Sequence, residues 1–228
     1  MDLKRILASG LAIAMLAGTV ALAGCSAEEE TTTGDETTSG EAVELEGSIT
    51  VQGSDTMLNI STAWSEAFMD ANPGVDISVQ GGGSGTGIAS LLNGTVDFAN
   101  ASREIKDEEL AEAETLGIEP VEHKVAIDGI AVVVNPANGV EELTLDQLGQ
   151  IFRGEVTNWS EVGGEDMAIV LLSRDSSSGT YEYFKEEVVG EDAEYAAAAK
   201  LLPSNQAIAD EVAANEAGIG YIGLGYLT

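Results

Sequence analysis

From residue 48 onward the chain repeats one pattern: a short apolar run, a loop rich in serine and glycine, then an amphipathic stretch. SITVQG precedes SDTMLNISTAWSEAFMDANPG, VDISVQ precedes GGGSGTG and IASLLNG, and TVDFANAS precedes IKDEELAEAETLG. Short apolar runs bounded by turn residues read as strands, and stretches of 3.6-residue period read as helices. Three such units in succession predict an α/β domain with a mostly parallel sheet. HKVAIDGIAVVVNP predicts a long apolar strand pair, with the chain crossing to a second unit near Asp128 to Asn135. That unit is expected to hold a helix at LTLDQLGQIF and a strand at AIVLLS, then helices at GTYEYFKEEVV, DAEYAAAAKLL and NQAIADEVAANE, and a last strand at IGYIGL. The expected division is 48–130 for the first unit and 131–228 for the second, the latter C-terminally incomplete because no helix follows its last strand.

The N-terminus reads differently. Lys4 and Arg5 precede an apolar run ending in Leu22-Ala23-Gly24-Cys25, which predicts a secretory signal peptide over 1–24 rather than a membrane span. Leu-Ala-Gly-Cys resembles the lipobox of prokaryotic lipoproteins, so Cys25 is the expected lipidation site. It is also the single cysteine, which excludes an intrachain disulfide. Residues 26–46 hold eight acidic residues and no basic one, and residues 25–47 are therefore expected to form a disordered tether. Signal, lipid and tether together predict an extracytoplasmic protein anchored to the outer face of the cell membrane without crossing it.

Formal net charge is −31, and one unit more negative once Asp2, Lys4 and Arg5 leave with the signal. Nucleic acid is excluded as a partner, since no basic footprint exists to displace counterions from phosphates. The carboxylates are scattered, with no Asp-x-Asp-x-Asp-Gly calcium loop, and read as a solubility coat.

GGGSGTG at 81–87 opens a predicted helix, where amides and the helix dipole favour anions. It fails the dinucleotide fingerprint, because the sixth residue from Gly81 is Thr86 and the sixth from Gly83 is Ile88. No Gly-Lys-Ser/Thr exists for a P-loop, and Gly82-Gly83-Ser84-Gly85-Thr86 is not Gly-x-Ser-x-Gly. His123 is the single histidine, so triads, zinc hydrolysis and thiol catalysis lack their parts; no enzyme, metal or cofactor is expected. Within the loop, Ser84 is the expected donor and Thr86 a helix cap.

Three other stretches share this chemistry: Gly53-Ser54-Asp55-Thr56, Ala101-Ser102-Arg103, and Arg174 through Thr180. Each alone is an ordinary set of helix caps. Beyond the signal, however, arginine occurs at 103, 153 and 174 alone, and two of the three fall inside these loops. In doubly wound sheets such loops gather at the carboxyl ends of the strands. Four loops of hydroxyls and amides with Arg103 and Arg174 predict a cage for a small oxyanion. Arg153, after a helix, is expected at the surface or at a contact between units.

These loops, with Asp97 through Arg103, Asp128 through Pro136 and Asn158-Trp159, run in an order that resembles the substrate-binding lipoproteins of phosphate ABC transporters. The resemblance spans about residue 48 to the end. It implies two α/β lobes, each a mostly parallel sheet flanked by helices, closing on phosphate in the cleft as a type II periplasmic binding protein. It further implies donation from Ser54, Thr56, Ser84, Ser178, Gly179 and Thr180, charge from Arg174, and delivery of phosphate by a monomeric receptor to a permease and its ATPase. Many members have Ala-Ser-Asp where this chain has Ala101-Ser102-Arg103, and that aspartate accepts the proton of hydrogen phosphate. Here Asp128 is the first expected replacement, also pairing with an arginine, and Asp55 the second. Without such an acceptor, sulfate, molybdate or tungstate would be the ligand; a phosphate-sensing lipoprotein without a transporter is the other alternative.

Overall fold

A computed structural model describes residues 44–227. The signal peptide, Cys25 and most of the acidic tether lie outside the described residues. Strands β1 (Gly47–Gly53), β2 (Val75–Gln80) and β3 (Phe98–Asn100) form a sheet of order β2-β1-β3, parallel throughout, with Val51 opposite both Val79 and Phe98. Parallel neighbours need crossovers, and helices α1 (Asp55–Ala71) and α2 (Ser84–Leu92) supply them. Helix α3 (Asp107–Leu116) follows β3. All three predicted strand, loop, helix units are present.

The second sheet contains β4 (Ile130–Val134), β5 (Val170–Arg174), β6 (Lys200–Leu202) and β7 (Gly218–Gly223) in the order β4-β7-β5-β6. β5 runs parallel to β6 and β7, whereas β4 is antiparallel to β7. Helices α4 (Leu145–Arg153), α5 (Gly179–Phe184) and α6 (Asn205–Ala214) flank it. Central strands buried on both faces read as unbroken apolar runs, and β5 and β7 show why. Leu171, Ile219 and Tyr221 join Phe152, Trp159 and Phe184 on one face, while Leu172 and Ile222 join Ile208 and Val212 on the other. The first sheet packs a smaller cluster of Ile88, Leu92 and Ala113. Among the described residues no helix is long and apolar enough to cross a membrane.

Several expectations need correction. The long strand pair shrinks to Ile130–Val134, because β7 offers partners only from Gly223 back to Ile219. Residues 121–129 carry no ladder, and Val121, Val125 and Ile127 are exposed. The alanine-rich stretch 192–199 is not helical despite its propensity. Tyr195 stacks on Tyr181 at 4.5 Å, and the Ala196 amide donates to Phe152 O at 2.8 Å, so tertiary packing overrides the local preference. The helix expected over 179–189 is α5 followed by a π-helical turn, Lys185–Gly190. Thr86 is not a cap: Gly83 takes that position with φ of +94°, and a side chain there would collide with Ser177.

Candidate functional site

The site is built around the last residue of β5. Arg174 is 1% exposed, and its backbone N–H donates to the Tyr221 hydroxyl at 3.3 Å. That hydroxyl also bonds Ser173 Oγ at 2.7 Å and Tyr195 OH at 3.1 Å. Burial pushes both phenols above their ordinary range. They act there as neutral hydrogen-bonding groups that fix the backbone behind the arginine. Arg174 Nη2 donates to Pro203 O at 3.1 Å, and Nη1 lies 3.8 Å from Asp55 Oδ2. Nε and Nη1 are buried and have no hydrogen-bond partner among the described residues. A buried, charged donor without an acceptor carries its full desolvation penalty, which an anion placed against it would offset.

Asp55 connects this guanidinium to a group of hydroxyls contributed by several loops. The caps separate into two kinds. Ser178 Oγ accepts from the Tyr181 amide and caps α5, whereas Ser54 stands at the N-terminus of α1 without a side-chain cap bond. Ser54 Oγ instead donates to Ser102 Oγ at 3.0 Å. Ser84 Oγ accepts from the Ser102 amide at 3.0 Å and lies 3.3 Å from Ser102 Oγ. Gly179 faces this trio: a β-carbon built there would sit 2.5 Å from Ser84 Oγ and 2.6 Å from Ser102 Oγ. Thr56 Oγ1 and Thr180 Oγ1 are 2.7 Å apart. The structure therefore brings Ser54, Asp55, Thr56, Ser84, Ser102, Arg174, Ser178, Gly179 and Thr180 together. The Gly81–Gly87 loop meets the β5 loop through its backbone, with Gly85 N–H donating to Ser177 O at 3.0 Å.

Asn205, the first residue of α6, is a member of the cluster that sequence reasoning missed. It is fully buried, and both its backbone N–H and its Nδ2 donate to Asp55 Oδ2 at 2.8 Å. In sequence it is one more polar residue opening a helix after Ser204, which is the true cap. Nothing in that pattern distinguishes it.

Two further expected residues, Arg103 and Asp128, make no hydrogen bond to these hydroxyls. Both terminal nitrogens of Arg103 fork onto Glu109, at 2.8 and 2.7 Å, and Nη1 also donates to Glu104 O, while Nε is buried without a partner among the described residues. Glu109 additionally accepts from the Lys106 amide, closing the first turn of α3. Asp128 is exposed, and its carboxylate and the Thr56 methyl group both lie beside Gly223. It pairs with no arginine among the described residues, because Arg174 faces Asp55, Arg103 pairs with Glu109 and Arg153 with Glu155. Arg153 is a partly exposed contact that also donates to Val189 O. Lys106 and Glu182, 3.1 Å apart, link the α3 side to α5. Among the described residues no group of three or more His, Cys, Asp or Glu could hold a metal.

The Arg103 and Glu109 pair has a pH signature. Burial raises the Glu109 carboxyl, but the Arg103 guanidinium and the Lys106 N–H together outweigh it and hold the group below its ordinary value. A depressed folded-state value gives stability that is present above the unfolded value, near ~4.3, and lost as pH falls through the folded one. Glu109→Gln should therefore lower stability by about 1 kcal/mol at pH 7, discounted for solvent screening. Urea midpoints of the two proteins should converge at acid pH; a constant gap would contradict this role.

Comparison with known proteins places the arrangement. The model of the PBP superfamily domain matches residues 26–228. The phosphate-binding protein PstS of Bacillus subtilis is 37% identical over 166 residues, covering 73% of this chain and 53% of the relative. That of Pseudomonas aeruginosa is 34% identical over 187 residues, 76% and 58% respectively. The chain thus spans about half the length of the curated relatives it matches. The crystal structure of a phosphate ABC transporter substrate-binding protein from Clostridium perfringens, described as putative and holding bound phosphate, superposes with a TM-score of 0.73 at 35% identity, covering 80% of this chain and 72% of the other.

Proposed function

This chain belongs to the PBP superfamily, among the substrate-binding proteins of phosphate ABC transporters, and on that premise we propose that it is a receptor that binds inorganic phosphate and delivers it to an ABC importer. The observation that carries this reading is the buried guanidinium of Arg174, with two unpartnered donors, beside Asp55 at the start of the first hydroxyl loop. A planar fork of N–H groups matches an oxyanion edge, and charge-assisted bonds of that kind are the strong ones. Ser54, Thr56, Ser84, Ser102, Ser178 and Thr180 supply neutral donors, and Gly179 lets the backbone come close. Binding requires no covalent chemistry, in keeping with relatives described as binding proteins. Closure of lobe 48–130 on lobe 131–228 is the mechanism, and the contacts that cross between them, Thr56 to Thr180 and Lys106 to Glu182, belong to the closed form.

Export on the 1–24 signal, lipid on Cys25 and the 25–47 tether complete the receptor. It acts as a monomer at the outer face of the membrane, handing phosphate to a permease and its ATPase. The net charge does not oppose anion capture, because short hydrogen bonds outweigh a field screened beyond roughly 10 Å.

Selectivity falls to Asp55 rather than Asp128. Asp55 is in the cluster, and its Oδ1 has no hydrogen bond among the described residues, so it can accept the proton of hydrogen phosphate. Sulfate has no such proton at neutral pH and would leave the acceptor unpaired. Asp55→Asn should lower phosphate affinity roughly 10- to 100-fold and leave sulfate little changed, whereas Asp128→Asn should alter neither. Competition binding of the two variants checks this; a selective loss in Asp128→Asn alone would reassign the acceptor to Asp128.

A further inference from the structure

We propose that Asn205 is a positioning residue that sets the selectivity of the site, by fixing which atoms of Asp55 and Thr56 accept and which donate. The inference rests on the phosphate reading above. It starts from the hydrogen bonds of one fully buried amide side chain. Asn205 Oδ1 accepts from the Gly223 N–H at 3.1 Å, so the other terminal atom, Nδ2, must face Asp55 and Thr56 as a donor. Nδ2 has two hydrogens and two acceptors, Asp55 Oδ2 at 2.8 Å and Thr56 Oγ1 at 3.2 Å. The backbone N–H of Asn205 adds a second bond to Asp55 Oδ2 at 2.8 Å.

Two consequences follow from that pattern. Oδ2 of Asp55 is occupied by two N–H donors at the start of α6, and this orients the carboxylate so that Oδ1 remains the free acceptor. Thr56 Oγ1 accepts from Asn205, so its own proton is directed outward, to Thr180 or to an anion oxygen. One residue therefore assigns an acceptor to Asp55 and a donor to Thr56. It does so from 150 positions along the chain and from the second sheet's side, so the assignment exists only while the two sides are together.

Without the amide, Asp55 keeps one N–H bond and can turn so that Oδ1 no longer faces the anion, which would remove the proton acceptor while the Arg174 charge stays available to either anion. A merely structural role would weaken phosphate and sulfate equally. A positioning role changes their ratio.

The test is equilibrium dialysis of the full chain and its Asn205→Ala variant against radiolabelled phosphate and, separately, sulfate, with thermal melting of each unliganded protein. The expected result is a phosphate affinity about tenfold lower or more, a sulfate affinity within about threefold of the parent, and a selectivity ratio reduced about tenfold, the effect of one lost hydrogen bond to a charged group. Should Asn205→Ala fail to fold, Asn205→Ser, which keeps the backbone N–H and a small polar side chain at the helix start, is measured instead with the same outcomes. An unchanged ratio in a protein that itself prefers phosphate would overturn the role of Asn205 and leave the phosphate reading standing. A parent protein that prefers sulfate, or binds neither ion, would overturn both.

Discussion

Arg174→Met should lower phosphate affinity about a thousandfold, equivalent to about 4 kcal/mol, while leaving the unliganded protein folded. The asymmetry follows from the surroundings of the side chain. Two of its donors are buried without partners, so the guanidinium contributes little to the empty fold and is costly to hold there. Methionine fills similar volume without that cost, and replacing buried charge by an apolar group of matched size is often neutral or stabilising. Asp55 keeps the two N–H bonds of Asn205 and is not stranded. Arg174→Lys keeps the charge and loses the fork, so it should fall between the parent and methionine. Titration together with urea unfolding separates the two effects. A variant that unfolds while retaining affinity in its folded fraction would show that Arg174 is structural.

Gly179→Ala should give the second-largest effect, about a hundredfold loss of phosphate affinity with a destabilisation of about 1–3 kcal/mol from overpacking. The added methyl group would meet Ser84 Oγ and Ser102 Oγ and stand 3.1 Å from the Ser102 carbonyl carbon, which is backbone and cannot swing aside. Relief requires the β5 loop to withdraw from the β2 and β3 loops, opening the space in which the hydroxyls converge. Gly225→Ala, where nothing lies within 4 Å, is the control and should be silent. Equal behaviour of the two variants in binding and melting would refute convergence of the three loops at Gly179.

The sequence disclosed the fold where local pattern and tertiary role agree. The alternation of apolar runs with Ser/Gly loops marks β1 to β3 and their helices because a parallel sheet cannot be connected otherwise. The hydroxyl loops and Arg174 were legible for the same reason, since loops at the carboxyl ends of strands must cluster. What escaped depended on partners distant in sequence. Tyr195 and Ala196 leave helical geometry because they pack on Tyr181 and Phe152, and no local propensity encodes that. Asn205 resembled any helix-opening polar residue until the fold set it against Asp55. Arg103 looked available because its partner is another residue's helix-capping group: Glu109 reaches back to the Lys106 amide and takes the guanidinium with it. A glutamate at the third position of an amphipathic run, placed to reach back to the amide before the helix, was the one signal that could have given this away. Asp128 followed an assumption about its neighbours along the chain, whereas Arg174 had Asp55 beside it.

The central claim is that Arg174 and the converging hydroxyl loops hold one hydrogen phosphate ion, with Asp55 accepting its proton. Calorimetric titration of the protein with phosphate and with sulfate at neutral pH and equal ionic strength tests it most directly. The account predicts a single phosphate site, with sulfate weaker by about a hundredfold or more. Sulfate binding as tightly as phosphate, or no heat with phosphate, would contradict it.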